Sequence, residues 1–279
     1  KVFPPLVINM VRAGEVGGFL DRVMLQIAEN YEAEVKLRSK IKSAMTYPVV
    51  VFVIAILATI GMLLFIVPIF AKMFADLGGT LPLPTQILVN LSSALRLTAP
   101  VLLVALVVGV FVWRRVRHSE QVRNVLDPIK LKVPIFGPLF QKVAISRFSR
   151  NFGTMLSSGV PILQSLEIVG ETAGNVVLRR AAASVQESVR RGESLAGPLA
   201  EHPVFPPMVV QMLSVGEDTG AIDSMLHKVS DFYDAEVEAT TEALTSLIEP
   251  LMIAVLGAIV GGMIVALYMP IFNVFSLIK

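Results

Sequence analysis

The sequence contains no cysteine, and this absence excludes a disulfide framework and a thiolate metal site. Charged residues are also scarce, at 16%, and they nearly balance, so the formal net charge is only +2. A charge this small does not argue for a nucleic-acid partner. With 54% hydrophobic residues, the chain is too apolar for an ordinary soluble domain of 279 residues. The composition therefore indicates a membrane protein.

Motifs of the common catalytic classes are absent as well. The sequence has no Gly-x-x-x-x-Gly-Lys loop to cradle phosphates, so ATP hydrolysis by that route is not expected. Its three histidines, His118, His202 and His227, lack His-Glu-x-x-His spacing, and we expect them to be surface side chains rather than ligands. The sequence predicts no catalytic residue, no cofactor and no metal.

What the sequence does contain is one long motif in two copies. Val2–Asp21 reads VFPPLVINMVRAGEVGGFLD and Val204–Asp223 reads VFPPMVVQMLSVGEDTGAID, a separation of 202 residues. The register holds without a gap as far as Pro68-Ile69-Phe70 and Pro270-Ile271-Phe272. Each repeat is predicted to be a soluble helical module on a membrane stem. Because a long helical stretch precedes only the second copy, we expect an N-terminal portion of the natural protein to precede this sequence.

Three apolar segments are long enough to cross a bilayer. They are centred on Val49–Val67, Leu97–Trp113 and Leu251–Met269. The third contains Gly257-x-x-x-Gly261, which is either a face for close approach of another helix or a pair of glycines that simply face lipid.

Lysine and arginine indicate the orientation of these spans, because cytoplasmic flanks are rich in them. The basic residues that precede the first span or follow the second are Lys36, Arg38, Lys40, Lys42, Arg114, Arg115, Arg117 and Arg123. The stretch between the two spans carries only Lys72 and Arg96. We predict that both soluble regions are cytoplasmic, and that this loop, with turns at Gly78-Gly79 and Pro82/Pro84, lies outside together with the C-terminus.

The predicted fold class is an all-α membrane protein with two repeated cytoplasmic helical-bundle domains, the first incomplete, and three transmembrane helices. The predicted segments are a first cytoplasmic domain (1–47), span 1 (48–70), an extracytoplasmic loop (71–96), span 2 (97–113), a second cytoplasmic six-helix domain (114–249), span 3 (250–272) and an extracytoplasmic tail (273–279).

Helical periodicity and punctuation divide the second domain further. Its predicted elements are helices over 141–157, from Pro161, from Asn175 to Arg191, over 208–215 and over 221–248, with Gly159 in a break before Pro161 and a turn over 194–200. We expect the last helix to continue toward the membrane with a break at Pro250.

The most pointed polar feature is the pair of motifs Gly14-Glu15-x-x-Gly18 and Gly216-Glu217-x-x-Gly220. One interpretation is a helix–helix corner, in which the glycines allow positive φ or close approach and the carboxylate caps the following helix. The other is a docking point for a basic side chain of a partner, or a weak cation site.

Other charged residues also allow two interpretations. The arginine pairs Arg179-Arg180 and Arg190-Arg191 are either solvated helix faces or surfaces for an acidic partner, and Glu249-Pro250 either reaches water or contacts a partner span. Near the membrane the first stem is basic and the second is acidic, with Asp231, Asp234, Glu236, Glu238 and Glu242. We hypothesise that the two stems pack together.

These residues resemble the inner-membrane platform proteins of type II secretion and type IV pilus assembly, over essentially the whole chain. The most specific segments are Phe148–Pro161, Phe205–Gly220, Ala44–Pro48, Pro68–Pro82 with Thr85, and the ending from Glu249 to Phe272. Gly174-Asn175 and the loop LGGTLPLPT resemble the pilus branch more than the secretion branch.

The resemblance implies two cytoplasmic six-helix domains, three spans and a cytoplasmic start with an extracytoplasmic end, although the first domain lacks its opening helices. It implies a non-enzymatic platform in the bacterial inner membrane that binds a hexameric cytoplasmic ATPase. Such a platform couples the ATPase to extraction of pilin or pseudopilin and to fibre assembly, with Pro250 as a possible hinge. We also expect other inner-membrane assembly proteins, membrane lipid and a second copy of the chain as partners, and no nucleic acid. The alternative is an oligomeric channel or transporter subunit.

Overall fold

The computed structural model describes residues 3–76, 81–117 and 119–277, and these residues form α-helices joined by short turns. No β-strand occurs among them, which agrees with the predicted all-α class. The helices are α1 (Pro5–Gly17), α2 (Leu20–Gly61), α3 (Val67–Asp76), α4 (Leu83–Val116), α5 (Glu120–Lys132), α6 (Gly137–Ser157), α7 (Ile162–Thr172), α8 (Val176–Arg190), α9 (Ala196–Ala200), α10 (Pro207–Thr219) and α11 (Ile222–Leu277). A π-helical turn over Met62–Ile66 joins α2 to α3.

The duplicated motif folds the same way in both copies. Pro5–Gly17 and Pro207–Thr219 are both 13-residue helices that begin directly after a proline in extended conformation. Both end at a glycine with φ near +72°, Gly18 in one copy and Gly220 in the other, where a side chain would be strained. The repeat is therefore a structural unit as well as a sequence pattern.

Residues 1–42 and 118–243 form one compact unit. Its core surrounds α6, whose Phe148, Phe152 and Met155 are buried. The first repeat adds Met10 and Val23 to the same core. Within the described residues, α1 and the start of α2 share one core with the second predicted domain, and α1 packs on α6 and α7.

Capping and turn residues in the sequence predicted most helix boundaries in this unit to within a few residues. Asn175 caps α8, since its side-chain oxygen accepts a hydrogen bond from the Val177 N–H at 2.8 Å. Pro161 is the residue before α7 and not its first residue. Helix α6 begins at Gly137, earlier than predicted, and the predicted turn over 194–200 contains the short helix α9.

Residues 43–117 and 244–279 form a second compact unit. Three helices in the described part of the chain are long and apolar enough to cross a membrane: 20–76, counted through the π-helical turn, 83–116, and 222–270. Within the predicted extracytoplasmic loop over 71–96, α3 continues to Asp76 and α4 begins at Leu83, so both ends of this segment are helical. Apolar side chains explain the extra helix: Phe70 and Leu88 pack on a cluster of Leu63, Val67 and Leu267. Gly78-Gly79 lie outside the described residues.

Helix α11 corrects one expectation and extends into the predicted tail. It is assigned as one α-helix through Pro250, so the predicted break there is absent. It also continues to Leu277, so most of the predicted tail over 273–279 is helical. At Pro250 the neighbours Glu249, Leu251 and Met252 are good helix formers, and a proline inside a helix removes only one backbone donor.

Prolines at equivalent places in the two repeats leave backbone carbonyls without their helical donor. Pro68 lies in α3 and Pro270 in α11, and the acceptors that they free belong to Leu64 and Ala266, four residues earlier. Helix α4 supplies both missing donors. The Arg96 guanidinium donates to the Leu64 carbonyl at 2.5 Å, and the buried Thr85 hydroxyl donates to the Ala266 carbonyl.

We expect Thr85→Val to destabilise the protein by about 1–3 kcal/mol, because the isosteric change leaves a buried carbonyl unpaired. In a Pro270→Ala background the same change should cost less, since alanine at this position restores the backbone N–H. Thermal unfolding of the detergent-solubilised chain measures this double-mutant cycle. Thr98→Val is the control, because the Thr98 hydroxyl donates to Ala94 within its own exposed helix face. Equal losses in both backgrounds would contradict the assignment.

Candidate functional site

Glu217 serves as a brace between helices in the second copy of the Gly-Glu-x-x-Gly motif. Both carboxylate oxygens accept hydrogen bonds from the Leu195 N–H, at 2.9 and 3.1 Å, where α9 begins. The corner interpretation is correct for the glycines, since Gly216 is buried and a Cβ there would lie 2.9 Å from the Ile222 Cα. The same interpretation is wrong about the carboxylate. Glu217 binds the backbone at the start of α9 and does not cap α11, the helix that follows the motif.

The first copy of the motif is more open. Gly14 is buried, and a Cβ there would lie 2.9 Å from Val23 Cγ2, so the close approach of the two helices is repeated. Glu15, in contrast, is exposed. Among the described residues no group of three or more His, Asp or Glu side chains could hold a metal ion. A docking role for Glu15 stays a prediction.

The arginine pairs are held by neighbouring side chains. Arg179 forms an ion pair with Glu120 at 2.8 Å, and Arg180 donates to the Asn124 amide oxygen at 3.2 Å, so both connect α8 to α5. The other pair, Arg190 and Arg191, lies at 3.7 and 3.4 Å from Glu187 on its own helix. The latter two are more than half exposed and remain available to a partner.

The remaining candidate residues occupy different places. Gly159 has φ +72° and completes the turn before α7, next to the ring of Phe19. Glu249 and Pro250 are exposed within α11, in the second compact unit. The candidates therefore do not converge on one site.

Sequence reasoning missed a polar seam between α2 and α6. The buried Asn30 amide donates to Asn151 and to Thr154, each at 3.2 Å. Gln26 donates to the Ser157 hydroxyl at 3.2 Å and accepts from the Ser158 hydroxyl at 2.5 Å. The seam borders a cavity of about 210 Å³. Isolated Asn and Gln residues in a helical pattern gave no signal for this arrangement, because their partners lie more than 120 residues away.

Sequence reasoning also missed a buried ion pair between α6 and α11. The Arg150 side chain is only 7% exposed, and its guanidinium contacts the Asp234 carboxylate. The Ser146 hydroxyl donates to the same carboxylate at 2.5 Å. Arg150 belongs to the segment Phe148–Pro161, which carries much of the family resemblance, but its partner lies 84 residues away and no local pattern indicates it.

One ion pair among the described residues supports the hypothesis that the two stems pack together. Lys40 and Glu238 form an ion pair at 2.5 Å that is nearly half exposed. The other acidic positions that were assigned to the basic stem behave differently: Glu236 pairs with Lys142 of α6 at 2.7 Å, and Asp234 pairs with Arg150. Helix α6 brings its own basic side chains close to α11, and so it competes for the acids.

Two tyrosines at equivalent positions of the repeats, Tyr31 and Tyr233, have pKa values shifted by burial and by nearby carboxylates. Burial raises the pKa of Tyr31 and of Tyr233 above the ordinary value of 10.0, and the carboxylates of Glu34 and Glu236, respectively, raise it further. Both lie outside the segments 48–70 and 250–272. Each tyrosine adds stability that is complete below pH 10.0 and is lost as the pH rises through the raised folded-state pKa.

Asp234→Asn should destabilise the first compact unit by about 3 kcal/mol, because it leaves the buried Arg150 charge uncompensated. The matched change Glu238→Gln on the same helix breaks only an exposed pair and should cost less than about 1 kcal/mol. Thermal unfolding in detergent, followed by circular dichroism, compares the two variants. Equal decreases in unfolding temperature would show that the ion pair with Arg150 stabilises the unit no more than the exposed pair does.

Comparisons with known proteins agree with this architecture. The family model described as type II secretion system (T2SS), protein F, matches residues 1–68 and 148–270, which include the two copies of the motif. A type IV pilus assembly protein PilC of Myxococcus xanthus is 46% identical over 282 residues, covering 100% of this chain and 67% of its own length. The protein of the same name from Thermus thermophilus is 45% identical over 98% of this chain and 68% of its own.

Secretion proteins match less closely. The type II secretion system protein F of Vibrio cholerae is 32% identical over 86% of this chain and 59% of its own length. Full coverage of the chain by the pilus assembly proteins, together with the match to the family model, leaves no doubt about the relationship. The chain belongs to the family of type II secretion system protein F, which includes the PilC proteins of type IV pilus assembly.

Proposed function

We propose that this chain is a non-enzymatic platform in the bacterial inner membrane, which couples a cytoplasmic assembly ATPase to the extraction of pilin and the growth of a type IV pilus. Support for the pilus branch comes from the higher identity to pilus assembly proteins, up to 46%, than to secretion proteins, up to 33%. In the proposed topology the unit around α6 is cytoplasmic, and the segments 71–96 and 273–279 are extracytoplasmic.

One observation carries the proposal. Helix α11 is a single α-helix of 56 residues, which includes both the Asp234 carboxylate that binds α6 and the apolar segment 250–272. A continuous helix transmits axial displacement along its length, because its turns are fixed by backbone hydrogen bonds, and Pro250 removes one of these bonds where α11 enters its apolar segment. A movement imposed on α6 by an ATPase would therefore be carried along α11 into the lipid.

The exposed arginines of α8 are the proposed contact for the ATPase. Arg190 and Arg191 point to an acidic partner surface because their local acid, Glu187, is shared between them and lies more than 3 Å from both. Arg179 and Arg180 are already held by α5.

Photo-crosslinking from position 190 in cells tests this contact. We expect a crosslinker at Arg190 to capture the assembly ATPase, identified by mass spectrometry, and a crosslinker at Val125 to capture none. Val125 is the control because it is 60% exposed on α5 of the same unit. Capture of the ATPase from both positions, or from neither, would contradict the proposed surface.

The coupling role predicts a second phenotype. Pro250→Ala should leave the amount of membrane-inserted protein unchanged but lower pilus assembly, since an added backbone N–H stiffens α11 where the helix enters its apolar segment. Leu247→Ala, an exposed position nearly one turn earlier, is the control. Electron microscopy of surface pili, with immunoblots of the membrane fraction, measures both quantities. Normal piliation in Pro250→Ala would argue against a mechanical role for this residue.

A further inference from the structure

Helix α5 has the reverse of the usual amphipathic pattern. Its inner side buries the carboxylate of Asp127, which is 2% exposed, whereas on its outer side Val125 is 60% and Ile129 51% exposed. Val125 and Ile129 are four residues apart and therefore lie on the same helix face. A helix at the surface of a water-soluble domain normally turns its apolar residues inward and its charged residues outward. The outer side of α5 is thus suited to an environment other than water.

Polar contacts hold α5 in this orientation. The Asp127 carboxylate accepts a hydrogen bond from the Val176 N–H at 3.2 Å, at the start of α8. On the same helix, Glu120 forms its ion pair with Arg179 of α8 at 2.8 Å. Because a buried carboxylate is costly without its donors, α5 cannot rotate to hide its apolar outer side without losing these contacts. The exposure of that side is therefore fixed by the fold.

The turn after α5 presents a third apolar side chain. Ile135 has φ +75°, and within the described part of the chain it is the one residue other than glycine with positive φ. The Phe136 N–H donates to the Pro134 carbonyl at 2.9 Å, so Ile135 is the central residue of a γ-turn of the rare, strained type. A β-branched residue adopts such a conformation only at a cost. Ile135 is nonetheless 56% exposed, so its own burial does not offset this cost.

The outer side of α5 follows closely on an apolar segment that is long enough to cross a bilayer. Helix α4 ends at Val116 and α5 begins at Glu120, so the chain between them spans at most about 14 Å. The end of α4 has the residues of a membrane–water interface, since Trp113 is followed by the exposed Arg114 and Arg115. The start of α5 is therefore within reach of the bilayer that α4 crosses.

The charge of this region complements an anionic lipid surface. From Trp113 to Lys132 the sequence has six lysines and arginines but only two acids, Glu120 and Asp127. Both acids already pair with basic side chains. Lys132 is exposed and has no ion pair in the part of the chain that the structure describes. Positive charge beside exposed apolar side chains is typical of helices that lie on anionic bilayers.

We propose that the α5 membrane face, which consists of Val125, Ile129, Lys132 and Ile135, binds the anionic surface of the bilayer that α4 crosses. The three apolar side chains enter the boundary between headgroups and acyl chains, and the Lys132 ammonium reaches the lipid phosphates. Burial of Ile135 in the bilayer then offsets the strain of its backbone. This inference is independent of the proposed pilus function.

Nitroxide labels test the proposal, because the sequence has no cysteine and each single-cysteine variant carries one label. The full chain with Ile129→Cys or Ile135→Cys is placed in nanodiscs that contain phosphatidylglycerol. Electron paramagnetic resonance then measures how often the label collides with oxygen and with a water-soluble nickel chelate. We expect oxygen collisions to dominate at both positions, since oxygen concentrates among acyl chains. The control is Val215→Cys, at a valine that is 45% exposed on α10 of the same compact unit, where nickel should dominate.

Three outcomes would overturn the proposal. Dominant nickel collisions at Ile129 and Ile135 would show that the face lies in water. Low collision rates with both reagents would show that a protein, such as a second copy of this chain, covers the face. Dominant oxygen collisions at Val215 as well would show that the α5 membrane face is no closer to lipid than the rest of its unit.

The polar part of the face is tested through the lipid charge and Lys132. In nanodiscs of phosphatidylcholine alone, the ratio of oxygen to nickel collisions at Ile129 should fall by about twofold, because Lys132 loses its anionic partner. Lys132→Gln should lower this ratio similarly in phosphatidylglycerol nanodiscs, whereas Lys228→Gln, at an exposed lysine of α11, should leave it unchanged. A ratio that responds to neither change would contradict the recognition of anionic lipid.

A charge placed on the face should release it from the bilayer. With the label at Ile135, Ile129→Asp should change the dominant collision partner from oxygen to nickel, because the added carboxylate is costly to bury in lipid. Val215→Asp is the matched control and should leave the label in lipid. Circular dichroism checks that both variants remain helical. Oxygen collisions that still dominate in Ile129→Asp would mean that Ile129 and Ile135 do not bind the bilayer as one face.

Discussion

The packing of both repeats on one helix, α6, is the constraint on which the first compact unit depends. One side of α6 offers Thr154 and Asn151 to the amide of Asn30, and another offers Arg150 to Asp234. A buried guanidinium is costly without its carboxylate, and a buried amide is costly without its partners. Helices α2 and α11 must therefore both be docked before the polar groups of α6 are satisfied, which makes their association cooperative.

The parts of this fold that could be predicted from sequence are those set by local chemistry. Gly18 and Gly220 end their helices because only glycine adopts positive φ without strain, and Asn175 begins a helix because its side chain accepts a backbone hydrogen bond. The lengths of the apolar segments are likewise a local property, so the three long apolar helices followed from composition. The repeat added the register that relates one half of the chain to the other.

The parts that could not be predicted depend on partners distant in sequence. Glu217 turns to α9, which lies 22 residues earlier, and not to the helix beside it. Among the acidic residues of α11, one pairs with Lys40 and two pair with basic residues of α6. Sequence spacing does not predict which acid pairs with which base. Similarly, the segment 71–96 contains glycine and proline signals for turns, yet its flanks are helical because apolar side chains pack on the cluster around Leu63 and Leu267. In this last case tertiary burial outweighs local propensity.

Helix α4 binds its neighbours through their main chain, and this affects which positions can vary. The groups that accept from Arg96 and Thr85 are backbone carbonyls, at Leu64 and Ala266. A carbonyl is present whatever the side chain, so apolar residues at 64 and 266 can be exchanged while the link survives. The donors have no such freedom, since in a lipid environment only a few side chains can supply the missing N–H or O–H. Natural variation in this region is therefore expected to be one-sided, with wide tolerance in the helices that contain the prolines and narrow tolerance in the helix that serves them.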